Sequence, residues 1–171
     1  MPTYTDDYIK SILRSTKVIA MVGASGNEMR PSYFAMKYLL AKGFVIHPIN
    51  PGMAGQKILG QTVYASLKDV PAPVDMVDIF RASEAAPGIV KEALAEKDRL
   101  GIKTIWMQLS VVSEDAAELA RAAGLNVVMD RCPKIEYGRM SGEIGWMGVS
   151  RGIIDNRKPL LFGKGGSLKR N

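Results

Sequence analysis

The stretch KVIAMVGASGNEMRPS, residues 17–32, decides the fold. Residues 18–22 form an apolar run of strand length, as expected of a strand buried on both faces. The run stops at Gly23. Ala24, Ser25, Gly26 and Asn27 are small or turn-forming, and a helical pattern begins near Pro31 and Ser32. A buried strand, a tight small-residue turn and then a helix is how an open parallel sheet offers backbone N–H groups to a phosphate. Arg30 adds a full charge and a planar fork of donors beside that helix start. The dinucleotide pattern G-x-G-x-x-G is not met, because Ser25 and Glu28 stand where its second and third glycines belong. A structural turn holding no ligand therefore stays open beside the phosphate reading.

Outward from this stretch, strands and helices alternate. Residues 5–15 read as a short packing helix, with Thr5 as N-cap and Asp6 and Asp7 in the first turn. Tyr8, Ile12 and Leu13 form its apolar stripe. A helix is expected over 32–42, closed by Gly43, and a second strand over 44–49, with regular pairing ending near Pro48. Residues 53–70 read as a loop with a short strand or turn at Val63 and Tyr64. Strands follow over 74–80, 103–109 and 125–129, separated by a helix over 83–100 and another capped by Ser113 and ended by Gly124. After Tyr137 the glycines at 138, 142, 145, 148 and 152 argue against helix or strand. The alternation predicts an α/β fold: an open, mostly parallel sheet with helices on both faces.

The chain has 171 residues, the size of one domain, and one cysteine, so an intrachain disulfide is excluded. With one His and one Cys, a Cys/His zinc site is disfavoured. No apolar run reaches the ~20 residues of a membrane span. No apolar signal-peptide core stands at the N-terminus, so a cytoplasmic location is expected. Formal net charge is +6, and most of it lies late: from Arg139 onward, seven basic residues face only Glu143 and Asp155. The basic character belongs to the tail and lacks interleaved aromatics, which disfavours nucleic-acid binding by the domain. Residues 1–157 are read as one domain and 158–171 as a flexible basic tail.

In such sheets ligands bind outside the carboxyl ends of the strands, where strand order reverses. The residues expected there are Gly23, Ala24, Ser25 and Arg30, with Ser32 at the helix start. Asn50 and Pro51, Phe80 and Arg81, Trp106 and Gln108, and Arg131 and Cys132 complete the set. The set holds arginines for phosphates, apolar surface for a lipophilic arm and amides for orientation. It has no carboxylate pair, metal cluster or nucleophile–base dyad, so it reads as a binding site without catalytic machinery. The second strand exits at Asn50 without the acid that would hold an adenosine ribose, which argues against NAD. Cys132 beside Arg131 is the candidate for a thiol of lowered pKa.

Six motifs in order carry a resemblance: VGAS at 22–25, RPSY at 30–33, NP at 50–51, VDIFR at 77–81, WMQL at 106–109 and MDRCPKIE at 129–136. Over about residues 5–157 the chain resembles the small stand-alone CoA-binding proteins. These are similar to the CoA-binding domain of succinyl-CoA synthetase α-subunits and of ADP-forming acyl-CoA synthetases. The resemblance implies a Rossmann-like three-layer αβα fold and a coenzyme A or acyl-CoA ligand. It implies that Gly23–Ser25 and Arg30 hold phosphates and that the Asn50-Pro51 loop meets the adenosine phosphate region. Phe80 and Arg81, with Trp106 and Gln108, would flank the adenine and pantetheine. Relatives often carry a lysine just after the NP pair; here Gly52 and Met53 stand there and Lys57 is the nearest substitute. Cys132 would approach the CoA thiol. The expectation is a non-catalytic carrier, sensor or regulatory module. A homo-oligomer or protein partner is allowed for. Two other readings remain: an NAD(P)-binding redox sensor or oxidoreductase, and a partner-binding subunit that uses the basic tail.

Overall fold

A computed structural model describes residues 2–142. The tail over 158–171 and the end of the expected domain at 157 lie outside the described residues. Five parallel strands form the sheet: β1 (Val18–Val22), β2 (Val45–Ile49), β5 (Met76–Ile79), β6 (Thr104–Met107) and β7 (Asn126–Val128), in the order β2-β1-β5-β6-β7. Two short strands, β3 (Lys57–Ile58) and β4 (Gln61–Thr62), make a separate antiparallel hairpin. The helices are α1 (Asp6–Ser15), α2 (Pro31–Ala41), α3 (Ala86–Leu100), α4 (Glu114–Ala122) and α5 (Pro133–Ser141).

Alternation along the strands builds two cores. Ala20, Val77, Ile79, Ile105 and Met107 point to the face covered by α3 and α4. Ile19, Met21, Met76, Trp106 and Val128 point to the face covered by α1, α2 and α5. The result is a three-layer, Rossmann-like α/β fold. Local chemistry sets several boundaries. Thr5 accepts from the Tyr8 N–H at 3.2 Å, and Ser113 accepts from the Ala116 N–H at 3.3 Å. Gly101 ends α3 in the left-handed conformation at φ 78°.

One expectation holds and another changes. The pairing of β2 ends at Ile49, one residue past Pro48, and Pro48 itself stands opposite Met21 inside the ladder. Because β2 is the sheet edge, the missing N–H faces away from β1, on the side where the Pro48 carbonyl accepts from Tyr64. The expectation that changes concerns α5: the stretch after Tyr137 read as glycine-broken begins inside this nine-residue helix, so residues 138–141 are helical. Its packing overrides the low propensity of Gly138. The Tyr137 ring lies edge-on to Tyr38 and Phe44 at 6.2 and 5.5 Å, and Arg139 bonds to both Glu136 and Asp6.

Candidate functional site

The chain leaves β1 for β2 on one side and later returns to place β5 on the other, so strand order reverses between β1 and β5. At the carboxyl ends of these two strands the backbones come together. Gly23 has φ 86°, and a Cβ there would sit 2.6 Å from the Phe80 carbonyl oxygen. Glycine is required on both counts. A cavity of about 960 Å³ opens above this contact, within the size range of small-molecule sites.

One wall is the first turn and the start of α2: Gly23, Ala24, Ser25, Arg30 and Ser32 all line the cavity. The turn is tied down from within. The N–H groups of Gly23 and Ala24 donate to the Ile49 carbonyl at 3.1 and 3.2 Å. Ser25 N–H donates to Ser32 Oγ, Asn27 N–H to Ser25 Oγ, and Met29 N–H to Asn27 Oδ1. The expectation that this turn turns its amides out to a ligand is therefore corrected: these five N–H groups, with the Ser25, Asn27 and Ser32 side-chain acceptors, hold the turn's own shape. What reaches the cavity is the N-terminus of α2, whose N-cap Arg30 makes no side-chain cap bond, and the Arg30 side chain itself.

Asn50 lines the same wall and braces it. Its Nδ2 donates to the Ala24 carbonyl at 2.9 Å and its Oδ1 accepts from the Gly52 N–H at 2.9 Å. Pro51 starts a short 3-10 turn, exposed and outside the cavity lining. Lys57 also lies outside it, carried off on β3. The hairpin that holds Lys57 is tied to the outer edge of β2 through Tyr64, so nearness in sequence to the NP pair does not bring it to the site.

The opposite wall comes from β5, β6 and α5. Phe80 and Arg81 line it, with the Phe80 N–H anchored to the Val22 carbonyl at 2.8 Å. Gln108 is buried, and its Nε2 donates to both carboxyl oxygens of Asp78 at 3.0 and 3.1 Å. Asp78 is wholly buried. Burial lifts its carboxyl to about 8, and the Gln108 amide pulls it back only in part. Trp106, two residues before Gln108, does not reach the cavity. Its ring is fully buried in the core under α1, α2 and α5, and its indole N–H donates to the Arg131 carbonyl at 2.7 Å. The structure thus gives Trp106 a bracing role between β6 and the exit of β7.

Cys132 lines the cavity at the N-cap of α5. The lowered thiol pKa expected from Arg131 is not found. Burial pushes the thiol up, and the nearby Asp78 carboxyl acts in the same direction. Arg131 is engaged elsewhere. Its guanidinium donates to the carbonyls of Asp130 at 2.7 Å and Pro2 at 3.0 Å, and lies over the Tyr4 ring.

Several lining residues were not singled out from the sequence: Met29, Phe34, Leu109, Ser110, Val111, Lys134 and Ile135. Lys134 was available inside the MDRCPKIE motif as a cation at a proline-started helix. Asp78 also had a signal, a charge inside the apolar run VDMVDIF at a position that alternation turns inward. The other residues reach the cavity through contacts distant in sequence. Among the described residues no group of His, Cys, Asp and Glu is arranged to hold a metal, and no helix is long and apolar enough to cross a membrane.

The structure is a Rossmann-like α/β domain with a cavity at its switch point, walled by a glycine turn and a helix start, where such sheets hold their ligands. The family model described as CoA binding domain matches residues 17–138, and the chain belongs to that family. It is similar to the uncharacterized protein YneT of Bacillus subtilis (strain 168), at 36% identity over 129 residues, which covers 75% of this chain and 91% of that protein. It is also similar to the ADP-forming acetate–CoA ligase II of Archaeoglobus fulgidus, at 36% over 102 residues; this is 58% of the chain and 14% of the much longer ligase. Among solved structures, Prb, the PH1109 protein redesigned for binding, is 36% identical with a TM-score of 0.76, covering 84% of this chain and 96% of that one.

Proposed function

We propose that this protein binds coenzyme A or an acyl-CoA in the cavity between β1 and β5 and acts as a carrier, sensor or regulatory module without catalysis of its own. The observation that carries the reading is the wall chemistry: three cationic side chains, Arg30, Arg81 and Lys134, line one cavity together with the N-terminus of α2. That combination suits a ligand with several phosphates. The amides of Asn50 and Gln108 and the ring of Phe80 supply orienting polar groups and apolar cover for an adenine and a pantetheine arm. Membership of the CoA-binding domain family supports the same ligand.

The non-catalytic part rests on protonation. Cys132 is the thiol that lines the cavity, and the carboxyl close to it, Asp78, is itself buried with its pKa raised. Near neutral pH a protonated acid beside a protonated thiol is a poor nucleophile–base pair. The NAD(P) alternative gains no support at the β2 exit, where the side chain of Asn50 is held by Ala24 and Gly52.

The test is replacement of the two arginines. Arg30→Ala and Arg81→Ala should each weaken CoA binding by ~1–3 kcal/mol if their guanidinium groups meet phosphate. Unchanged affinity in both variants would remove the phosphate assignment.

A further inference from the structure

The mouth of the cavity is apolar where a soluble domain is usually polar. Among the described residues, six large apolar side chains stand exposed, and four of them line this one cavity: Met29 at 82%, Phe34 at 50%, Leu109 at 52% and Ile135 at 38%. They come from four segments: the loop after β1, α2, the loop after β6, and α5. Amphipathic packing of a single element does not bring such residues together around one opening. Exposed apolar surface gathered at a groove marks a place that something covers. The collar is interleaved with charge. Arg30 lines the same wall, and the Lys134 ammonium lies 5.9 Å from the Phe34 ring centre. A molecule that matches both features has an anionic head and an apolar chain.

We infer that the collar of Met29, Phe34, Leu109 and Ile135 is an acyl-chain subsite, so that the protein prefers a fatty acyl-CoA to free CoA or acetyl-CoA. The inference rests on the CoA reading above and adds a ligand class to it. A fatty acyl chain is the occupant chosen over a protein partner because the collar is continuous with the interior of the cavity. One amphipathic molecule covers both surfaces at once, whereas a docked protein would cover the collar and leave the cavity beneath it to a second ligand.

The test is calorimetric titration of the full chain with CoA, acetyl-CoA, butyryl-CoA and octanoyl-CoA, which are short enough to avoid micelles. Affinity should climb with chain length, by about tenfold or more from acetyl to octanoyl, since each methylene removed from water adds to binding. In the double variant Phe34→Gln, Leu109→Gln both changes fall on exposed positions, and the octanoyl-to-acetyl ratio should fall close to one. If CoA binds but the acyl-CoAs bind no better, the subsite is refuted while the CoA reading stands. A ratio that the double variant leaves unchanged also refutes it. If none of the four ligands binds, the CoA reading itself fails and the subsite fails with it.

Discussion

The segment VDMVDIF carries two aspartates, one just before β5 and one inside it near its carboxyl end, and the protein treats them in opposite ways. Asp75, at the amino end of the sheet, accepts from the backbone N–H groups of Lys17 and Val18 at 2.9 and 3.0 Å, and Lys103 approaches it at 3.8 Å. Asp78, at the carboxyl end, has no exposed surface and receives one side-chain amide, that of Gln108. The first carboxylate ties two strand starts together. The second is held in a dry place beside a cavity, where its charge is costly. The amino end of the sheet is built for stability and the carboxyl end keeps polar groups that stability alone would not select.

The largest effect expected from this contrast is on pH dependence. Asp78 is lifted from its ordinary 3.8 to about 8, so the folded state holds its proton more tightly than the unfolded chain does. That contribution is full below the unfolded value, shrinks as pH rises past about 4, and is gone above about 8. At one pKa unit per 1.36 kcal/mol, the change across the window is at most about 6 kcal/mol. Asp78→Asn cannot ionise, so urea denaturation from pH 5 to 9 should show the variant losing this slope and gaining on the parent at the alkaline end. Parallel curves would mean that the two aspartates do not differ as described.

Gly23→Ala attacks the same end through the backbone. The added Cβ meets the Phe80 carbonyl at 2.6 Å in a left-handed conformation, so a loss of about 3 kcal/mol is expected in denaturant titrations, together with loss of CoA binding. Asp75→Ala is the counterpart at the amino end. It leaves two N–H groups without their carboxylate and should cost about 2 kcal/mol of stability while leaving CoA affinity within twofold. A large change in affinity there would blur the division between the two ends. The smallest effect belongs to Lys57→Ala. Lys57 is exposed on β3, outside the cavity, and its removal should shift CoA affinity by less than about 0.5 kcal/mol. A tenfold weakening would restore the lysine to the site.

What the sequence discloses follows the range of the interactions involved. Strand β1 and its turn are legible because apolar run, glycine and helix start lie within sixteen residues. Thr5 and Ser113 are legible because a cap binds three residues away. Helix α5 is not, because its stability comes from rings on Tyr38 and Phe44, about a hundred residues earlier. Trp106 and Gln108 have the same side-chain parity along one strand. Period-two alternation does not say which is covered by helices and which emerges at the cavity; that depends on how far the helix layer extends along the strand. Lys57 fails for a different reason: its side chain is exposed on β3 and does not line the cavity, although its neighbour Ile58 packs beside Gly26 of the first turn.

Whether the carboxyl end between β1 and β5 is a CoA site is read by calorimetric titration of the purified protein with CoA and, separately, with NADH. A CoA site gives saturable one-to-one heat with CoA and none with NADH. Saturation by NADH with CoA silent would contradict the proposal, and would transfer the cavity to dinucleotide chemistry.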